Sequence, residues 1–268
     1  MSERRLEGKV AIVTGAAGGM GRGYALHLAK LGADIAIFDK DLDVGKRNGE
    51  YPAESVAQEV RDLGGRVVAI QANLSNRAEA KAAVEQAAHE LGPIDILVNN
   101  AGGFITPASR SFATNIPDED IELLLGANFL SAVYCCQAAV PLMTTPGGSI
   151  INVVTFGVFA SDSTGQGSVY SAAKAALHTY TRHLAVEVGP SGIRANCIAP
   201  GLILTPRVAA AAAERGLGTS DQTKSIPLRR LGTVDDMVGT VEFLASDMSK
   251  YITGECIRVT GGLGLAAV

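Results

Sequence analysis

Tyr170 and Lys174 stand four residues apart in the run Val-Tyr-Ser-Ala-Ala-Lys-Ala-Ala-Leu. An alanine-rich stretch of this kind reads as helix, and the spacing stacks phenol and ammonium on one helical face. A free phenol titrates near pH ~10, so it carries protons poorly at neutral pH unless a neighbouring cation favours the phenolate. The pair is therefore a candidate acid/base. Lysine and tyrosine at i, i+4 also occur on solvated helix faces with no chemistry at all, so the elements around the pair must decide between the two readings.

Those elements alternate along the whole chain. Short β-branched apolar runs at Val10–Thr14, Asp34–Phe38, Arg66–Gln71, Ile94–Asn99, Gly148–Val154, Ile193–Ala199 and Cys256–Val259 read as strands. Most are continuous rather than alternating runs, as expected of strands covered on both faces. Between them, Met20–Leu31, Ala53–Leu63, Arg77–Leu91, Glu119–Met143, Ser168–Val188 and Val234–Ala245 read as helices. The pattern predicts one α/β domain over residues 1–268, a doubly wound parallel sheet of about seven strands with helices on both faces. Two stretches interrupt it. Lys40–Pro52 is polar and long, and is expected to be a surface excursion; Leu202–Pro227, with the alanine run Ala209–Ala213, is expected to be a flap over a site or a plain surface helix.

Composition narrows the partners. The 268 residues are 47% hydrophobic and 19% charged, with a net charge of −4 and no basic stripe, which argues against nucleic acid. No apolar run is read as approaching the ~20 residues of a membrane span, and the charged start (Ser2, Glu3, Arg4, Arg5) is unlike a leader, so a cytoplasmic location is expected. Cys135, Cys136, Cys197 and Cys256 have no metal-ligand spacing and are expected to be reduced and buried. His27, His89, His178 and His183 have no ligand pattern either, and no metal site is expected.

The first strand runs into Gly15-Ala16-Ala17-Gly18-Gly19-Met20-Gly21 and then a helix. Glycines there let the backbone turn sharply and approach a pyrophosphate, whose charge sits at the helix N-terminus. Asp39 ends the second strand, where a carboxylate accepts hydrogen bonds from ribose hydroxyls and repels a 2′-phosphate. Gly18 supplies no basic side chain for that phosphate, so NAD is favoured; Lys40 argues the other way, for NADP.

In these residues the chain resembles the short-chain dehydrogenase/reductases, from Lys9-Val10-Ala11 to Val259-Thr260-Gly261-Gly262. The family's Thr-Gly-x-x-x-Gly-x-Gly appears as Thr14, Gly15, Gly19 and Gly21, its Asn-Asn-Ala-Gly as Asn99 to Gly102, its Tyr-x-x-x-Lys as Tyr170 and Lys174, and its Pro-Gly after the sixth strand as Pro200 and Gly201. The resemblance implies a Rossmann fold and a homotetramer. It also implies that Asn73 and Leu74 line the adenine, that Ala101 and Gly102 pass beside the ribose, that Thr205 meets the nicotinamide carboxamide, and that Asn100, Pro200, Gly201 and Ile203 belong to the cofactor site. Lys174 would bond the nicotinamide ribose and Asn128 would anchor a proton-relaying water. The family's catalytic serine is replaced here by Thr155, with Ser161, Ser163 or Ser168 as alternative sources of the hydroxyl.

Phe104, Gly157, Phe159 and Leu202 are the expected substrate-lining residues, a mostly apolar set suited to an alicyclic or other hydrophobic secondary alcohol; Arg207 would instead select a carboxylate. The expected activity is NAD-dependent oxidation of a secondary alcohol. Alternatives are an NADPH-dependent ketone or 3-oxoacyl reductase, a nucleotide-binding regulator without turnover, and an isomerase or dehydratase that uses NAD transiently.

Overall fold

The carboxyl ends of seven parallel strands set where everything else can stand. In the computed structural model, which describes residues 4–144, 146–161, 164–210, 212 and 219–265, the strands are β1 (Val10–Thr14), β2 (Asp34–Asp39), β3 (Val67–Gln71), β4 (Ile96–Asn99), β5 (Ser149–Val153), β6 (Arg194–Pro200) and β7 (Cys256–Val259). Their order is β3-β2-β1-β4-β5-β6-β7. The chain first winds outward from β1 to β3, then returns to β4 on the other side of β1. That reversal opens a crevice beyond the ends of β1 and β4, the usual ligand position in such sheets.

The helices are α1 (Gly19–Lys30), α2 (Val44–Arg47), α3 (Val56–Asp62), α4 (Arg77–Leu91), α5 (Asp118–Leu125), α6 (Ser131–Ala139), α7 (Ser168–Val188), α8 (Pro206–Ala210), α9 (Ser220–Lys224) and α10 (Val234–Ala245). Successive strand side chains point to opposite faces. Ala11 and Val13 of β1 join one core with Tyr24, Leu28, Val60 and Val241 of α1, α3 and α10. Val10 and Ile12 join the other, with Val84 and Ala87 of α4, Cys135 of α6 and Val188 of α7. Burial on both faces is why the strands read as unbroken apolar runs.

Two expectations need correction and one is refined. The polar stretch Lys40–Pro52 runs along the surface, with Lys40, Asp43, Lys46 to Gly49 and Pro52 exposed, yet α2 forms within it and Gly45 and Tyr51 are buried. A side chain at Gly45 would fall onto the Ala17 carbonyl oxygen, so only glycine lets this segment lie on the glycine-rich turn. The helix expected over Glu119–Met143 is broken by a π-helical turn at Gly126–Leu130 and ends in a 3₁₀ turn at Val140–Leu142. The whole run Asp118–Leu142 is nevertheless long and apolar enough to cross a membrane, with a mean hydropathy of 1.6 over an 18-residue window, contrary to the expectation that no segment is. Half of that window is buried, where α6 packs on α4 and where α5 and the π turn pack on α7.

Cys135, Cys136 and Cys197 are free and buried as expected, whereas Cys256 on the edge strand is only partly covered. Among the described residues no cluster of His, Cys, Asp or Glu suits a metal. Ser163, Ala211 and Ala213, residues 214–218 of the flap and 266–268 of the tail lie outside the described residues.

Candidate functional site

The end of β1 and the end of β4 are stitched into one unit. Thr14 Oγ1 accepts from the backbone N–H groups of Asn100 and Ala101, both at 2.9 Å, and Asn100 Nδ2 donates to the carbonyls of Thr14 and Gly15 at 3.0 and 3.2 Å. Gly15 and Gly19 hold φ of 63° and 54°, values that L side chains rarely adopt. A Cβ on Gly15 would lie 2.9 Å from Ala101 Cα, and one on Gly21 would strike the Gly15 carbonyl oxygen. The turn is thus a tight glycine cradle, and it delivers the chain into α1 at Gly18, an N-cap position with no side-chain cap. The start of α1 carries the partial positive charge of a helix N-terminus, which favours a negative group there.

Two carboxylates attend this cradle. Asp39 Oδ2 accepts from Ala17 N at 3.1 Å and its Oδ1 from Asp41 N at 3.2 Å; burial raises its pKa above the ordinary carboxylate value, against those two hydrogen bonds. Glu50 Oε2 accepts from Gly19 N at 2.5 Å. Sequence reasoning missed Glu50, because nothing in its local spacing marks it and its partner lies 31 residues away.

The other expected cofactor residues fall around the same crevice in different ways. Met20 packs into the core and its sulfur accepts from Tyr24 Oη, so only its backbone faces the turn. Lys40 is exposed at the end of β2. Asn73 is exposed, with its Oδ1 accepting from Ser75 N at 3.2 Å, while Leu74 is buried beneath it. On the opposite wall, Gly201 N donates to Val259 O at 2.9 Å, and Gly201 packs so closely that a Cβ would lie 2.9 Å from Thr260 Cα. Pro200 is buried. Leu202 and Ile203 pair with Gly232, and Ile203 sends its side chain into the core. Thr205 caps α8 by accepting from Val208 N at 3.3 Å, and its methyl comes within 4.0 Å of where a Gly19 side chain would begin. The start of the 202–227 stretch therefore lies against the glycine-rich turn.

Tyr170 and Lys174 lie on α7, whose start is tied down from an unexpected direction. Ser111, fully buried, accepts from Gly167 N through its hydroxyl at 3.1 Å and from Ser168 Oγ through its carbonyl at 3.1 Å. Lys174 is only 3% exposed and its Nζ donates to the Val153 carbonyl at 2.7 Å, at the very end of β5. A solvated helix-face lysine does neither. Burial, offset in part by Cys197 and reinforced by the positive Arg207, lowers its pKa to about 8.

Thr155 follows β5 two residues after Val153, half-buried, its Oγ1 accepting weakly from Gly157 N at 3.4 Å. Gly157 packs against Ser171 on α7, where a Cβ would lie 2.8 Å from the serine hydroxyl and 3.4 Å from the Thr155 methyl. Ser161 is exposed. Phe104 stacks on Tyr170, with ring centroids 5.8 Å apart and planes within 9°. Phe159 is placed elsewhere: its ring meets His178 at 5.7 Å and the Arg258 guanidinium at 5.6 Å, two turns of α7 beyond the tyrosine.

Asn128, 1% exposed in the π turn, joins these halves. Its Oδ1 accepts from Gly103 N at 2.7 Å, and its Nδ2 donates to the carbonyls of Gly103 and Leu124, both at 3.1 Å. Both Gly102 and Gly103 have positive φ, 111° and 130°, and Asn128 Oδ1 leaves no room for a Gly102 side chain. Arg207 then lies over this turn and donates to the Gly102 carbonyl at 3.2 Å.

A protein-family model described as "Enoyl-(Acyl carrier protein) reductase" matches residues 15–264. The chain is 38% identical over 263 residues to a cyclohexanol dehydrogenase of Rhodococcus sp. (strain TK6), covering 96% of this chain and 97% of that one. It is 36% identical over 256 residues to the 3-oxoacyl-(acyl-carrier-protein) reductase of Staphylococcus aureus, covering 95% and 98%. Among solved structures, a short-chain type dehydrogenase/reductase from Mycobacterium marinum superposes with a TM-score of 0.87 at 31% identity, covering 98% of both chains.

Proposed function

This chain belongs to the short-chain dehydrogenase/reductase family, and from that premise we propose that it is an NAD-dependent dehydrogenase of an apolar, alicyclic secondary alcohol. The observation that carries the reading is the burial of Lys174 on the Tyr170 face of α7, at the edge of the crevice that the glycine cradle lines. An ammonium is kept almost dry only where it does something, since its desolvation destabilises the fold.

The residues present fit a dinucleotide. The cradle has no room for side chains at Gly15 and Gly21, α1 begins without a side-chain cap from Gly18, and Asp39 waits beside Ala17 at the ribose end. A nicotinamide held there would supply the hydride acceptor. The chain's own residues then manage the proton. Tyr170 takes it from the substrate hydroxyl as general base, and the Lys174 charge lowers the cost of the phenolate. Thr155 holds the substrate oxygen through its hydroxyl, since Ser168 is engaged by Ser111. Asn128 keeps the Gly102–Gly103 turn in place and offers the relay its anchor. Phe104, Gly157 and Leu202 supply the apolar wall, in keeping with the cyclohexanol dehydrogenase likeness.

A second reading, an NADPH-dependent 3-oxoacyl or ketone reductase, draws on the exposed cation of Lys40 beside Asp39 and on the Staphylococcus aureus relative. One experiment separates them: cyclic and aliphatic secondary alcohols are assayed with NAD+ and NADP+, following the absorbance of the reduced nicotinamide, beside Tyr170→Phe. Turnover with NAD+ and a loss of about 10²- to 10⁴-fold in the variant are expected. Undiminished activity in Tyr170→Phe refutes the mechanism. Failure of every neutral alcohol alongside turnover of an acidic substrate refutes the apolar pocket.

A further inference from the structure

We propose that Glu50 is a second cofactor-specificity residue, which acts with Asp39 to exclude a dinucleotide carrying a 2′-phosphate. The inference rests on the reading that Asp39 marks the ribose end of the site, and it adds a residue contributed by a separate segment. Asp39 and Glu50 reach the same turn from opposite sides and hold alternate amides of it, Ala17 N at 3.1 Å and Gly19 N at 2.5 Å. Gly18 lies between them. A Cβ on Gly18 would be 3.0 and 3.2 Å from the two Glu50 oxygens and 3.2 Å from Gly45 Cα. The space that a residue-18 side chain would fill is thus already taken by a carboxylate.

The position of Glu50 is built and not incidental. The segment that carries it is pressed onto the turn at both ends: Gly45 meets the Ala17 carbonyl, and buried Tyr51 donates from its hydroxyl to that same oxygen at 3.4 Å. Glu50 N is itself bonded to Gly45 O at 3.0 Å. The cations in the neighbourhood offset the two carboxylates only in part: Arg22 feels the Glu50 charge, but its hydrogen bonds go elsewhere. Arg22 is committed to Glu59 through two hydrogen bonds of 2.7 and 2.5 Å and lies over the Tyr51 ring at 4.9 Å. Arg47 is paired with Asp41, and Lys40 and Lys46 are exposed to solvent and screened. A 2′-phosphate entering beside Asp39 meets two negative charges held by the backbone, whereas ribose hydroxyls meet two acceptors.

The test is equilibrium binding of NAD+ and NADP+ by titration calorimetry to the unaltered protein, to Glu50→Gln and to Asp39→Asn, with a thermal melt of each. Glutamine keeps an acceptor for Gly19 N and removes only the charge. Glu50→Gln is expected to tighten NADP+ by on the order of tenfold while NAD+ changes less than about twofold. Glu50→Asp, which withdraws the charge by one methylene, is expected to move NADP+ in the same direction by less, and it serves should the glutamine variant melt early. An unchanged NADP+ affinity in Glu50→Gln overturns the proposal. So does equal tightening of both cofactors, since Glu50 would then compete with the pyrophosphate that both share. Tighter binding of NADP+ than NAD+ by the unaltered protein refutes the NAD reading itself; the part played by Glu50 is judged separately, on the ratio of variant to unaltered protein.

Discussion

Replacing Asn128 by alanine removes three hydrogen bonds from a site that is 1% exposed. Two of them hold Gly103, at a φ of 130° that is one of several open to glycine. Neutral hydrogen bonds contribute about 1 kcal/mol each, and a buried group left unpaired costs about 1–3 kcal/mol. Gly103 is half-buried and water re-satisfies part of the loss, which brings the sum to about 2–4 kcal/mol. For a chain of this length the corresponding fall in Tm is roughly 4–7 °C, read by scanning calorimetry on the unliganded protein. Asn128→Asp sharpens the test. It preserves the acceptor for Gly103 N but turns a carboxylate oxygen toward the carbonyls of Gly103 and Leu124, so it is expected to destabilise more than alanine does at neutral pH. An alanine variant that melts within about 1 °C of the parent, or an aspartate variant more stable than alanine, refutes the view that this side chain holds the turn.

Two further outcomes follow from the same geometry. Burial lowers the Lys174 pKa to about 8, so between that value and the ordinary lysine range the unfolded chain binds more protons than the folded one. The penalty is fully present below pH 8, and stability of the unliganded protein is expected to rise as pH climbs above it; denaturant titrations of Lys174→Met should lack that rise, and an identical slope in the variant would contradict the assignment. Gly21→Ala drives a methyl onto the Gly15 carbonyl oxygen and to 2.7 Å from Asn100 Nδ2, so it is expected to cost about 1–3 kcal/mol and to weaken NAD+ binding by calorimetry more than any helix-face alanine. Unaltered NAD+ affinity would show that the cradle tolerates a side chain.

What local physics governs was legible in the residues alone. Helices α4, α7 and α10 span the ranges read from the sequence, and Asn76 and Thr233 cap the first and last of them from the adjacent position. The strands could be read because burial on two faces demands unbroken apolar runs, and the Tyr170–Lys174 pair because i, i+4 geometry is a property of any helix. Whether that pair was solvated or buried was not legible. Tertiary structure decided it by bringing Lys174 to the Val153 carbonyl, just as it brought Glu50 to Gly19 across 31 residues, Asn128 to Gly103 across 25 and Arg207 to Gly102 across 105. It also put Phe104, rather than Phe159, on the tyrosine ring, and made a cradle wall of a stretch whose composition suggests a surface loop. Propensity and spacing act over one or two turns of chain; desolvation, charge pairing and the room left for a glycine depend on which distant segments close on one another, and that is set only when the sheet assembles.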